Sequence, residues 1–179
     1  MRRAVFLDRD GVINKAILKN NKPFPPENID QFVILENVHE LLNKLSNNGY
    51  LLFIVTNQPD VSRGTQSQEK VEEIHNFIKI SLPIEEIYVC FHDDHENCYC
   101  RKPKPGLLFQ VEKYEIDYSN SFMIGDRWRD IGAGLAAGCH TILINYNYFE
   151  NNHGFIAEKV VSNLSEAVDW ILNSGDKND

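Results

Sequence analysis

An apolar run, Ala4 to Leu7, stops abruptly at polar residues and a glycine, the pattern of a buried parallel strand. Runs of the same kind recur at Tyr50 to Val55, Ile87 to Phe91, Ser121 to Ile124 and Thr141 to Ile144. Between them the apolar spacing changes to that of helices. Val38, Leu41, Leu42 and Leu45 share one face of a helix over 37–48, with Gly49 as its stop. Thr65 and Gln68 have the spacing of a capping box, opening a helix that turns Val71, Ile74 and Ile78 inward. Pro105 suits the first turn of a helix that buries Leu107, Leu108, Val111 and Tyr114. A small-residue helix follows Gly125-Asp126 and ends at Gly138, and a last helix starts near Asn163 with Leu164, Val168 and Ile171 facing in. Residues 15–33, with Pro23, Pro25 and Pro26, read as an ordered surface loop, and the charged end, 175–179, is expected to fray. Alternating strands and helices predict an α/β fold with a doubly wound, mainly parallel sheet, a Rossmann-like single domain over residues 1–179.

Composition narrows the function. A chain of 179 residues, 42% hydrophobic, can bury a core without disulfide staples. Its formal charge of -8 opposes any general affinity for nucleic acid or anionic membrane, so an anionic substrate must be small and locally attracted. Arg2 and Arg3 precede only the short run Ala4 to Leu7, too little for a signal peptide, and no apolar stretch approaches the roughly 20 residues of a membrane span. A soluble, cytoplasmic, monomeric protein without nucleic-acid or membrane partners is expected.

Asp8, Asp10, Thr56, the cysteine-rich loop and Asp126 all fall just beyond the carboxyl ends of predicted strands, where open α/β sheets build their sites. Asp8 and Asp10, two apart at a strand exit, share a direction, and Gly11 lets the backbone turn and present amides to an anionic oxygen. A phosphate monoester is a dianion that repels an attacking carboxylate, and a divalent cation remedies this. All-oxygen ligands suit Mg2+.

A second metal site is read from Cys90-x-His92, five further residues, and Cys98-x-Cys100. Three thiolates and one imidazole form a closed tetrahedral set for structural Zn2+, whereas soft sulfur disfavours magnesium. His95, inside this loop over 90–100, is an alternative ligand, but the Cys-x-His spacing favours His92. The loop runs into Arg101-Lys102-Pro103, so a metal clip there would fix two cations beside the crevice. Cys139 stands apart and carries no assigned role.

With these segments in this order, the chain resembles haloacid-dehalogenase-superfamily phosphatases over about residues 4–145. The likeness is to the capless zinc-loop group that contains heptose-bisphosphate and histidinol-phosphate phosphatases. It implies that Asp8 is the nucleophile, forming an aspartyl phosphate, and that Asp10 protonates the leaving alkoxide and later deprotonates water. It implies Mg2+ ligation by Asp8, the Asp10 carbonyl and Asp126, with Asp130 supporting from behind. Thr56 would bond a phosphoryl oxygen, and Lys102 would place a positive charge on the same group.

The stretches Asp8 to Asn14, Thr56 to Gly64 and Arg101 to Leu108 resemble the heptose branch, which implies removal of the 7-phosphate from D-glycero-D-manno-heptose 1,7-bisphosphate. The short spacer between His92 and Cys98 is closer to histidinol-phosphate phosphatases, the alternative within enzymes. A sugar bisphosphate needs further polar contacts, for which Arg9, Asn57, Gln58, Arg63, Arg101 and Arg127 are candidates, with Lys19 and Lys22 adding charge. A zinc-dependent binding module on an inactive scaffold is the competing class, opposed by the intact Asp8, Asp10, Lys102 and Asp126.

Overall fold

The computed structural model describes residues 1–148 and 150–175. Six parallel strands form one sheet in the order β5-β4-β1-β6-β7-β8, where β1 is Ala4–Leu7, β4 Leu51–Asn57, β5 Glu86–Cys90, β6 Phe122–Gly125, β7 His140–Ile144 and β8 Lys159–Val161. Side chains along β1 alternate between two apolar layers. Val5 and Leu7 join Leu42 and Leu45 of α1 (Val38–Asn47), Ile74 and Ile78 of α2 (Gln68–Ser81), and Val168 and Ile171 of α5 (Leu164–Gly175). Ala4 and Phe6 point the other way, to Leu107 and Leu108 of α3 (Gly106–Phe109) and Ala133 of α4 (Trp128–Ala137). Burial on both faces is why the central strands read as unbroken apolar runs.

The doubly wound, mainly parallel sheet is the architecture expected, and several local expectations need correction. Residues 15–33 are not all loop: β2 (Ile17–Lys19) and β3 (Lys22–Phe24) form an antiparallel hairpin. Its turn residues, Asn20 and Asn21, have φ of 53° and 58°, the doubly left-handed geometry of a tight hairpin turn that asparagine tolerates. The cap of α2 is Ser67, whose side chain accepts from the Lys70 amide, whereas the Thr65 hydroxyl donates to the Asp60 carbonyl. The helix after Pro105 is short, and Tyr114 lies in a separate 3-10 turn. The edge strand β8, with its central Val160 exposed, escaped the pattern because a three-residue strand carries almost no periodicity. Of the end expected to fray, Gly175 closes α5 and 176–179 lie outside the described residues. Among the described residues no helix is long and apolar enough to cross a membrane.

The strand order reverses around β1, and the loops after β1, β4, β5, β6 and β7 meet at their carboxyl ends. They enclose a crevice of about 490 Å³, closed on one side by the β2–β3 hairpin.

Candidate active site

Asp8 follows β1 directly, and its amide donates to the Ile124 carbonyl of β6, tying the residue to the neighbouring strand. Lys102, 2% exposed, reaches into the same place from the loop after β5. Its ammonium donates to Asp8 Oδ1 at 2.8 Å, the Val55 carbonyl at 2.7 Å and Asp130 Oδ1 at 2.5 Å, which uses all three protons. Burial works against that charge, yet Asp130 and Asp8 hold the Lys102 pKa above its ordinary value. The other oxygen of Asp130 accepts from the Arg127 amide at 3.0 Å, so this side chain both caps α4 and anchors the lysine.

One ammonium cannot balance the acids gathered around it. Asp8, Asp126 and Asp130 are buried and bring carboxylate oxygens within 4.8 Å of one another. Burial first, then the Asp130 charge, raises the Asp8 pKa to about 6 against the pull of Lys102. Burial, then Asp8 and Asp130, also pushes Asp126 well above the usual carboxylate range. Among the described residues, neither buried oxygen of Asp126 has a hydrogen-bond partner of ordinary geometry. A divalent cation held by oxygen ligands fits this donor set, because it would neutralise the excess charge and satisfy those oxygens together.

Gly11 fixes the shape of the site. Its φ is +86°, and a Cβ there would fall 2.1 Å from Asp126 Oδ2, so a side chain is excluded by both backbone and space. Gly125 is constrained by space alone, since a Cβ would lie 2.1 Å from that of Asp130.

Asp10 also faces the crevice, gripped from behind. Asn14 donates to Oδ1 at 2.9 Å, Gln58 to Oδ2 at 2.8 Å, and the Arg9 guanidinium to both oxygens at 3.1 Å. Arg9 and Gln58, expected to meet substrate, do not line the crevice; both are 0% exposed and serve Asp10 instead. Thr56 is likewise buried, its hydroxyl oxygen accepting from Gln58 at 2.9 Å. Asn57 borders the crevice, but both ends of its amide bind the Lys102 backbone at 3.1 Å, placing the lysine rather than offering a free group to a ligand.

Arg63, Arg101 and Arg127 all line the crevice, each already paired. Arg63 forks onto Asp93 with two bonds of 2.7 Å, Arg101 binds Asp94 at 2.8 Å, and Arg127 pairs with Glu150. Lys22 also borders the crevice, while Lys19 lies outside it, paired with Glu27 at 3.1 Å. Arg129 was missed: it bonds Asp94 at 3.1 Å and the Lys102 carbonyl at 3.3 Å, joining the cysteine loop to α4. So were Tyr148 and Glu150, on the segment after β7. The strand-end rule that found the other residues would have found these had it been applied to β7.

The four residues Cys90, His92, Cys98 and Cys100 converge. Their sulfurs lie 3.6, 3.1 and 3.4 Å apart, and His92 Nδ1 is 3.6 and 3.3 Å from Cys90 and Cys100. A tetrahedral zinc with sulfur at about 2.3 Å separates its sulfurs by roughly 3.8 Å, so this cluster fits such an ion with slight expansion. His95 is not part of the group. Cys139 is buried in the second apolar layer, immediately before β7.

An aspartate pair leaving the central strand, opposed by a lysine and acids delivered from other strands, is the arrangement of haloacid-dehalogenase-like hydrolases. A family model described as "HAD-hyrolase-like" matches residues 99–167. The D-glycero-beta-D-manno-heptose-1,7-bisphosphate 7-phosphatase of Helicobacter pylori is 36% identical over 94% of this chain and 97% of its own. The alpha-named enzyme of Campylobacter jejuni, D-glycero-alpha-D-manno-heptose-1,7-bisphosphate 7-phosphatase, is 36% identical over 79% of this chain and 81% of its own. The crystal structure of D,D-heptose 1,7-bisphosphate phosphatase from B. bronchiseptica, complexed with magnesium and phosphate, superposes with a TM-score of 0.79 at 24% identity, covering 96% of this chain and 99% of that one. The chain therefore belongs to the heptose-bisphosphate phosphatase family of haloacid-dehalogenase-like hydrolases.

Proposed function

We propose that this protein is a magnesium-dependent phosphomonoesterase that removes the 7-phosphate of D-glycero-D-manno-heptose 1,7-bisphosphate through an aspartyl phosphate. The observation that carries the reading is Lys102 lodged between Asp8 and Asp130, with the buried carboxylate of Asp126 beside them. The names and coverage of the relatives support the substrate.

In this reading Asp8 attacks phosphorus, the P–O bond to the sugar breaks, and Asp10 gives its proton to the departing alkoxide. Asp10 then takes a proton from water, which attacks the acyl phosphate and regenerates Asp8. Lys102 keeps a fixed positive charge against Asp8 and the oxygens gathering on phosphorus, which lowers the barrier electrostatically. Asp8, the Asp10 carbonyl and Asp126 would hold Mg2+, which would supply charge neutralisation for the incoming dianion. Thr56, buried beneath, bonds a phosphoryl oxygen once phosphate is in place.

The second phosphate is drawn by crevice-facing arginines, Arg63, Arg101, Arg127 and Arg129, which would exchange a carboxylate partner for a substrate oxygen. Zn2+ on the cysteine loop is read as structural, holding Arg101 and Lys102 in place. The two apolar layers on one sheet support treating the chain as a single phosphatase domain, and its acidic balance supports a cytoplasmic monomer acting on a small metabolite.

The test is phosphate release with Mg2+ from the alpha and beta anomers of the heptose bisphosphate, alongside histidinol phosphate, with 31P NMR reporting which phosphate leaves. Loss of the 7-phosphate, abolished by Asp8→Asn, supports the reading. Preference for histidinol phosphate, or activity that survives Asp8→Asn, overturns it.

A further inference from the structure

Behind Asp10 lies a buried polar chain that no step above uses. The Arg9 side chain is 0% exposed, with Nε and Nη2 on Asp10 at 3.1–3.3 Å and Nη1 3.1 Å from His75 Nε2. A guanidinium stays protonated and has no acceptor, so Nη1 donates and Nε2 accepts, which requires a neutral ring carrying its proton on Nδ1. His75 comes from α2, where its companions on the inward face, Val71, Ile74 and Ile78, are apolar. It is 8% exposed. Burial, then the Arg9 charge, pushes its pKa down to about 3, so the ring remains an acceptor at any working pH.

A buried cation with a donor left unpaired turns to find an acceptor, because an unsatisfied charged donor is costly. If Nη1 lost His75, the fork formed by Nε and Nη2 would rotate off Asp10, leaving only Asn14 and Gln58, which hold one oxygen each. We propose that His75 is a positioning residue, which locks the Arg9 fork and so orients the Asp10 carboxyl for proton transfer to the leaving alkoxide. The inference rests on the reading of Asp10 as acid and base.

A leaving group that needs no proton isolates this role. With enzyme in excess of substrate, a single turnover reports cleavage of the ester alone, without hydrolysis of the acyl phosphate. The heptose ester leaves as an alkoxide and needs the Asp10 proton, whereas p-nitrophenolate does not. His75→Leu is expected to slow heptose-ester cleavage about tenfold, a fraction of the general-acid contribution, and to leave p-nitrophenyl phosphate cleavage within about threefold. His75→Gln, whose side-chain oxygen can stand where Nε2 does, should recover the heptose rate. His75→Asn, too short to reach Nη1, should behave like His75→Leu and replaces it if the leucine variant does not fold.

Asp10→Asn is the parallel control. If it cleaves the heptose ester at the wild-type rate, the acid assignment itself falls, and the inference with it. If Asp10→Asn is impaired but His75→Leu is not, or His75→Leu slows both substrates equally, or His75→Gln fails to recover the rate, the positioning role alone is overturned.

Discussion

Lys102→Met replaces a buried ammonium with an apolar chain of similar length and leaves Asp8 and Asp130 without their shared cation. Removing one partner of a buried ion pair costs about 3–5 kcal/mol, because the abandoned charge has neither water nor counterion. The loss has a pH signature. Asp8, raised from 3.8 to about 6 even with Lys102 present, holds its proton more tightly folded than unfolded. Its contribution to stability is therefore full below pH 3.8 and is lost as the pH rises through about 6, a difference of about 3 kcal/mol. Without the lowering influence of Lys102 the Asp8 pKa climbs further, and the window extends upward. Thermal melts without added metal should thus show the variant far below the wild type at pH 8 and closer to it at pH 5. Turnover with Mg2+ should fall about 10²–10³-fold, the scale of losing one charge stabiliser at a reacting centre. Equal destabilisation at both pH values, or turnover within tenfold of wild type, would refute the reasoning.

Removal of the zinc-site ligands should separate structure from chemistry: Cys98→Ser is expected to lose bound zinc by elemental analysis, lower the melting temperature and reduce turnover through displaced Arg101 and Lys102. Gly11→Ala places a methyl 2.1 Å from Asp126 Oδ2 at a φ of +86°, so turnover should drop at least about 100-fold while the far-ultraviolet circular dichroism stays native. His75, ordinarily near 6.5 but about 3 when folded, binds a proton more readily unfolded, so stability is lost as pH falls from 6.5 towards 3, by about 1.4 kcal/mol per pH unit. Denaturation of His75→Gln, which lacks that group, should show the stability gap to wild type shifting in the variant's favour across the same window.

The strand exits carried most of the legible chemistry. Asp8, Asp10 and Asp126 were found by one rule, that residues beyond parallel strand ends share a crevice, and the folded chain brings them together there, while the four Cys and His ligands, read from their spacing, gather as a separate group. The rule states which residues approach the site, not which way each side chain turns. Arg9 sits between two aspartates and looked like a substrate contact, yet its guanidinium runs backward to His75, a residue 66 positions away on the otherwise apolar inward face of α2. Asn57 and Gln58 likewise carry polar groups at the right strand end, and spend them on Lys102 and Asp10.

Local interactions and periodicity are written in neighbouring residues, so the chain by itself determined its alternating strands and helices, the two-layer core, the acidic pair and the metal-ligand spacing. Partnership between distant charges was decided only by the tertiary structure. Whether a guanidinium meets Glu150, Asp94 or Asp10 depends on distances of a few ångströms between loops that no periodic signal relates, and burial alone turns those choices into fixed orientations.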